Sequence, residues 1–295
     1  MKKLLIPSLL FIFVGPLFAL AWIYFSLPDV KELKSCFTTS LYEVKVCPGT
    51  ANYVKLSQIS NIAKRAILVS EDGTFYSHNG FDWFELKESF LENLKSLEYK
   101  RGGSTITQQL AKNAFLNNKK SIFRKLLEAH LAGELERNFT KDELLEKYLN
   151  MIEFGPKLYG IKAASNKYFG KSPSQLHLLE AVWLAHLLPN PKVYSRGIKK
   201  GQLTPYSKER VQILLQRLVK YGDISRAKYE FAKSQISSFP WSHLSAMDFE
   251  NVGVDTESQE KALEEIMRGK DWLDESSLPE PSAEEDEEFL DRPFE

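Results

Sequence analysis

A chain of 295 residues that is 43% hydrophobic carries enough apolar material for a packed core, which excludes a wholly disordered or fibrous protein. Its 39 basic and 39 acidic residues cancel only on paper: residues 1–245 hold 35 basic against 21 acidic side chains, and residues 246–295 hold 4 against 18. A body near +14 suits an anionic partner such as a phosphate, a lipid headgroup or nucleic acid.

The first predicted element is LLIPSLLFIFVGPLFALAWIYFSL, Leu4 to Leu27, 24 positions without a charge. As a helix it would be about 36 Å long, enough to span about 30 Å of hydrocarbon with some tilt. Lys2 and Lys3 on its short flank place that end in the cytoplasm and everything after Leu27 outside. A cleaved signal peptide is the competing reading, since Ala19-Leu20-Ala21 resembles a cleavage site. The apolar run continues through Trp22, Ile23, Tyr24 and Phe25, longer than a signal peptide needs, and favours an uncleaved anchor. Cys36 and Cys47 follow, in a compartment where such a pair is expected to form a structural disulfide. Residues 29–57 read as a connector with strand-like pieces at Tyr42–Val46 and Tyr53–Leu56.

From Ser60 the apolar positions recur three and four apart, in IAKRAILV, FELKESFLENLKSL, RKLLEAHLAGELE and LLEAVWLAHLL, so a mainly α core is expected over 58–235. Residues 236–295 end in the Pro- and acid-rich SLPEPSAEEDEEFLDRPFE and read as a solvated tail without a core. Inert solvation and a fold-back onto the basic body are both open for it.

Three stretches offer chemistry. In VSEDGTFYSH, Val69 to His78, an apolar helical pattern ends on Glu71 and Asp72, with Gly73 placed to supply a positive φ at the helix end. A carboxylate at the negative end of the helix dipole with apolar neighbours has its pKa raised, towards that of a useful general base. An ordinary surface acid would look the same. In RGGSTITQQLAKN, Arg101 to Asn113, a Gly-Gly turn leads into Thr105 and Gln108, spaced as a capping box, and a helix N-terminus able to receive a phosphate. It lacks the GxxxxGK[ST] of a P-loop. Lys112, Lys119, Lys120, Arg124 and Lys125 would add cations suited to a diphosphate. In RKLLEAHLAGELERNFTKDELLEKYLN, Arg124 and Glu128 are four apart on one helix face, a spacing that by itself indicates a surface salt bridge.

In this order SEDGTFYSHNGFD, RGGSTITQQLAKN, RKLLEAHLAGELE, YLNMIEFGPKLYGIKAASNKYFGK and LLEAVWLAHLLPNPKVY resemble the five motifs of the peptidoglycan glycosyltransferases, glycosyltransferase family 51. The resemblance runs from about Tyr53 to Ala232. It implies a mainly α, lysozyme-like, bilobal domain with a head lobe and a membrane-dipping jaw lobe, behind an N-terminal transmembrane helix. The implied localisation is the inner, cytoplasmic membrane, single-pass, with the catalytic domain on the extracytoplasmic face. The implied reaction is inverting transfer from a lipid-linked growing glycan to the 4-hydroxyl of lipid II, forming a β-1,4 bond and releasing undecaprenyl diphosphate.

By match to the motifs, Glu71 is the general base and Glu128 positions the donor diphosphate, directly or through a divalent cation such as Mg2+ or Mn2+. No organic cofactor is implied. Lys112, Lys120, Arg124 and Lys125 fall at phosphate-facing positions, Ser104, Thr105, Gln108 and Gln109 on the cleft wall, and Asp72 and His78 support the first motif. The aromatic, amphipathic FDWFELKESFLENLKSLEYK suits either the jaw's membrane contact or core packing. The implied partners are lipid II, the lipid-linked glycan, the membrane, and cell-wall synthesis or division proteins; nucleic acid is not expected outside the cytoplasm.

The expectation is a monofunctional enzyme. The tempting SxxK, Ser225-Arg226-Ala227-Lys228, reads better as a helix start, and too few residues follow it for a transpeptidase domain. The alternatives are a lysozyme-like peptidoglycan-cleaving enzyme, which also needs one essential Glu, and an inactive membrane-anchored scaffold that binds lipid II.

Overall fold

Capping residues mark the helix starts in the computed structural model, which describes residues 27–96, 103–119 and 121–252. The expected anchor before Leu27 and the tail beyond residue 252 lie outside the described residues. Among the described residues no helix is long and apolar enough to cross a membrane.

Twelve helices are described. They are α1 (Asn61–Glu71), α2 (Trp83–Ser96), α3 (Ile106–Phe115), α4 (Ile122–Asn138), α5 (Lys141–Met151), α6 (Ile161–Phe169), α7 (Leu178–Leu187), α8 (Pro191–Tyr194), α9 (Gly197–Lys200), α10 (Pro205–Lys220), α11 (Arg226–Gln235) and α12 (Ala246–Glu250). Ser60, Thr105, Ser121, Thr140, Thr204 and Ser225 each accept an N–H of the following first turn, which fixes where those helices begin. Ser225 in that role accounts for the SxxK match as a helix cap.

The fold is mainly α. Among the described residues its strands form two short antiparallel hairpins, β1 (Phe37–Thr38) with β2 (Lys45–Val46), and β3 (Glu153–Gly155) with β4 (Leu158–Tyr159). At the centre lies α7, all ten of whose residues are buried; eight are apolar, and the two polar ones, Glu180 and His186, are bonded to Lys171 and Ser207. Helices α1 and α10 pack on it and on each other; α3 packs between α4 and α5.

Two expected boundaries move outward. The connector of 29–57 belongs to the domain: Val30, Leu33, Tyr53 and Val54 join its core. The stretch Tyr53–Leu56 is not a strand: its first three residues lie outside regular secondary structure, Leu56 opens a short 3-10 helix, and side chains of α5 take its backbone groups. Asn150 Oδ1 accepts from Val54 N at 2.8 Å and Glu146 Oε2 from Leu56 N at 2.7 Å. The expected tail of 236–295 begins too early as well. Trp241 is fully buried, with Nε1 donating to Gln235 O at 2.7 Å, and Phe249 packs on Phe231 and stacks on His177 at 5.2 Å. Aromatics outweigh the acidic character of this part of the chain, so the domain runs on to α12.

Cys36 and Cys47 are joined in a disulfide that closes the β1–β2 hairpin. The hairpin tip donates from Ser40 N to Ala114 O at 2.9 Å and from Leu41 N to Asn113 O at 3.2 Å, satisfying carbonyls at the C-terminal end of α3. Replacing both cysteines by serine is expected to cost roughly 2–3 kcal/mol through the freed loop in the unfolded chain. Denaturant melts of the variant against the oxidised parent measure it.

Candidate active site

Helix α1 delivers Glu71 as its last residue. The helix stops there because Asp72 leaves helical geometry while its N–H still bonds Leu68 O at 2.7 Å. The expected role for Gly73 is corrected: it is not among the positive-φ residues. What lies close to it is a side chain: a Cβ there would be 2.5 Å from the hydroxyl of the exposed Tyr221, which would have to shift.

Asp72 ties this turn to α3. Its Oδ1 pairs with His78 Nε2 at 2.9 Å and its Oδ2 accepts from Ile106 N at 2.9 Å. The Thr105–Gln108 capping box forms as its spacing suggests, and Thr105 Oγ1 also donates to Gly80 O at 2.8 Å. These contacts change one expectation. Donors at the N-terminus of α3 are taken by Asp72 and Thr105, so a protein carboxylate occupies the position expected for a phosphate. Thr105 and Gln108 are buried as parts of the cap rather than lining an open wall. Ser104 and Gln109 are the partly open pair of that set.

Glu71 accepts from Gln109 Nε2 at 2.9 Å, and Gln109 Oε1 in turn accepts from the Tyr148 hydroxyl at 3.1 Å. Burial raises the Glu71 carboxyl above the usual range, and Asp72 adds to this; the Gln109 hydrogen bond and the positive Arg210 and Lys112 oppose it. A carboxylate less acidic than usual yet still held near cations is suited to taking a proton.

Glu128 is 3% exposed, so the i,i+4 pair with Arg124 is not the surface salt bridge that its spacing suggests. Its Oε2 accepts from Arg124 Nη1 at 3.1 Å and its Oε1 from Lys125 Nζ at 2.5 Å; Lys125 also donates to Ser104 Oγ at 2.9 Å. Lys112, on α3, feels the charge of both acids. Burial lowers its ammonium pKa, the charges of Glu128 and Glu71 oppose that, and Arg124 and Lys125 reinforce it. Charges therefore run from Glu71 through Lys112 to the Glu128, Arg124 and Lys125 group. Lys120 lies outside the described residues.

The donor set does not fit a divalent cation held by the protein. Two cationic side chains occupy the Glu128 carboxylate, and no group of three or more His, Cys, Asp or Glu side chains able to hold a metal lies among the described residues.

Two residues of this site have no place in the sequence reading. Tyr148 falls in the apolar spacing of α5 with Leu144, Leu145 and Leu149, and nothing local separates it from core. Arg210 left a signal: it interrupts the buried stripe of Ser207, Val211, Leu214 and Leu218 on α10, where a charge needs a reason.

A helical domain in which a carboxylate with a raised pKa, Glu71, and a buried Glu128 that holds Arg124 and Lys125 share a site has the equipment of an enzyme that transfers a group from an anionic donor. The comparisons with known proteins agree. The family described as Transglycosylase matches residues 40–219. The chain is 38% identical over 201 residues to the biosynthetic peptidoglycan transglycosylase of Acinetobacter baylyi, covering 67% of this chain and 90% of that one. It is 40% identical over 166 residues to the protein of the same name from Nitrosomonas eutropha, covering 56% and 66%. It is 33% identical over 263 residues to penicillin-binding protein 1A/1B of Bacillus subtilis, where 87% of this chain matches 28% of that longer protein. The chain belongs to the transglycosylase family, and is a glycosyltransferase of peptidoglycan synthesis.

Proposed function

We propose that the chain polymerises glycan strands from lipid II, with the growing lipid-linked glycan as donor. Glu71 takes the proton from the 4-hydroxyl of the acceptor sugar as that oxygen attacks the anomeric carbon. The anomeric configuration inverts, a β-1,4 bond forms, and undecaprenyl diphosphate departs. Lys112, Arg124 and Lys125 face the diphosphate and offset its charge as the glycosidic bond breaks, while Glu128 holds Arg124 and Lys125 in register. No step is routed through a metal ion. The observation that carries this reading is the pair of cations, Arg124 and Lys125, held on the buried Glu128 carboxylate, with Lys125 also bonded to Ser104 at the edge of the α3 cap. A lysozyme-like enzyme cleaving a lipid-free strand has no need of that bank of cations.

The bilobal head and jaw arrangement follows from the same reading. Trp83 and Phe84 are each 71% exposed on α2, and Ile122, Phe123 and Leu126 are exposed on α4, so these faces are not core. Apolar side chains of this size in water mark a contact surface, and here we assign them to the outer face of the cytoplasmic membrane. The uncharged run before Leu27 would anchor the chain in the same membrane.

Incubation of the protein with lipid II in detergent is expected to give polymer and to leave preformed glycan intact. Loss of preformed glycan without polymer would replace this reading by the cleaving one, and binding without turnover by the scaffold. Trp83→Ser with Phe84→Ser is expected to weaken binding of the domain lacking residues 1–27 to anionic vesicles by about tenfold or more, since burying each side chain is worth about 1.5–3 kcal/mol. Vesicle co-sedimentation reads this out.

A further inference from the structure

Gln109 stands between two groups that ask different things of it. An ionised Glu71 only accepts hydrogen bonds, so the amide must turn its N–H2 edge to the acid, as it does at 2.9 Å. Its carbonyl then faces Tyr148, whose hydroxyl donates to it at 3.1 Å. Tyr148 is fully buried, and among the described residues that carbonyl is the acceptor of its hydroxyl. Burial also pushes the phenol's pKa well up, so it remains a donor throughout the working pH range.

We propose that Tyr148 is a positioning residue, whose hydroxyl locks the Gln109 amide with its N–H2 edge towards Glu71. The inference rests on Glu71 being the base. Turning the amide over would bring its carbonyl to Glu71, a partner that suits only the protonated acid, and would leave the buried phenolic O–H without an acceptor. That second cost falls on Tyr148. The lock thus keeps Glu71 proton-free before each attack, against the burial that favours its protonated form.

The other charged groups around Glu71 do not do this. Asp72 follows it on its own turn, and Lys112 on α3 and Arg210 on α10 act through space. On α7, Glu180 pairs with Lys171 at 2.6 Å, and His186 bonds Ser207 at 3.0 Å and is held neutral by burial. None of them fixes which edge of the amide Glu71 meets.

Tyr148→Phe keeps the ring and removes the lock. The acidic limb of its kcat profile is expected to move up by roughly half a pH unit to one unit, and kcat at neutral pH to fall several-fold, the scale of one lost hydrogen bond. KM for lipid II should stay within about twofold, as expected when ground-state binding is untouched. Gln109→Leu should move the limb in the same direction, and Tyr148→Phe added to Gln109→Leu should move it no further. An unmoved limb in folded Tyr148→Phe, or additive shifts in the double variant, would overturn the proposal. Should Tyr148→Phe not fold, the Gln109 side-chain amide resonances of the wild type decide: one protected set supports the lock, and two exchanging sets refute it. Glu71→Gln at normal activity would instead remove the base assignment beneath it, so the two failures are distinguishable.

Discussion

Glu71→Gln is expected to lower the rate of lipid II polymerisation by about 10³-fold, within the range of 10²–10⁴ ascribed to a positioned proton acceptor. The glutamine keeps the shape and can still accept from Gln109, so lipid II binding should hold while kcat collapses. In the parent the rate should rise with pH through a midpoint above the ordinary glutamate range, because burial raises that carboxyl. The same shift makes a prediction about stability. An acid whose folded pKa is raised binds its proton more tightly when folded, so its favourable contribution is present at low pH and lost as pH rises through the folded pKa. Glu71→Gln should therefore melt above the parent at neutral pH, with the gap closing on acidification. Calorimetry across pH and the polymerisation assay test both halves, and a variant of normal rate would remove Glu71 from the mechanism.

The second large effect is expected at Glu128. Its replacement by glutamine removes the negative charge between Arg124, Lys125 and Lys112, and the cations then repel one another. With the diphosphate-facing group no longer held in register, turnover should fall by about 10²-fold, the scale on which loss of a preorganised charge contact is felt. Stability should fall too, by roughly 2 kcal/mol; breaking a fully buried pair costs about 3–5, and here Lys125 remains half in water, which screens its share. Urea melts and steady-state kinetics separate the two consequences. Arg124→Lys should be milder in stability than in rate, because lysine keeps the charge but loses the planar donor geometry.

Which of these features could be seen in the sequence depended on range. The capping box of Thr105 and Gln108 was legible because it is a contact of three residues' separation. The i,i+4 relation of Arg124 and Glu128 was legible for the same reason, but its burial was not, since the elements covering it lie far along the chain. The spacing therefore favoured a surface pair, and the fold made it an interior one. Gly73 failed differently. Its chain position suggests a left-handed cap, which Gly73 does not adopt, and its close neighbour, the Tyr221 hydroxyl, comes from the end of α10. The connector and the start of the tail belong to the domain because a few aromatics, Tyr53, Phe239 and Phe249, find partners in elements far along the chain that composition averages conceal.

The sequence by itself determined the mainly helical class, most helix starts and the motif acids, because periodicity, caps and short spacings are set by contacts within one or two turns. The tertiary structure alone decided what those acids experience. Gln109 meets Glu71 across a separation of 38 residues and Tyr148 across 39, and Arg210 reaches the same carboxylate from α10. Only chain closure brings such groups together and removes the water between them, and it is that removal which raises the Glu71 carboxyl above the range of an ordinary helix-end acid.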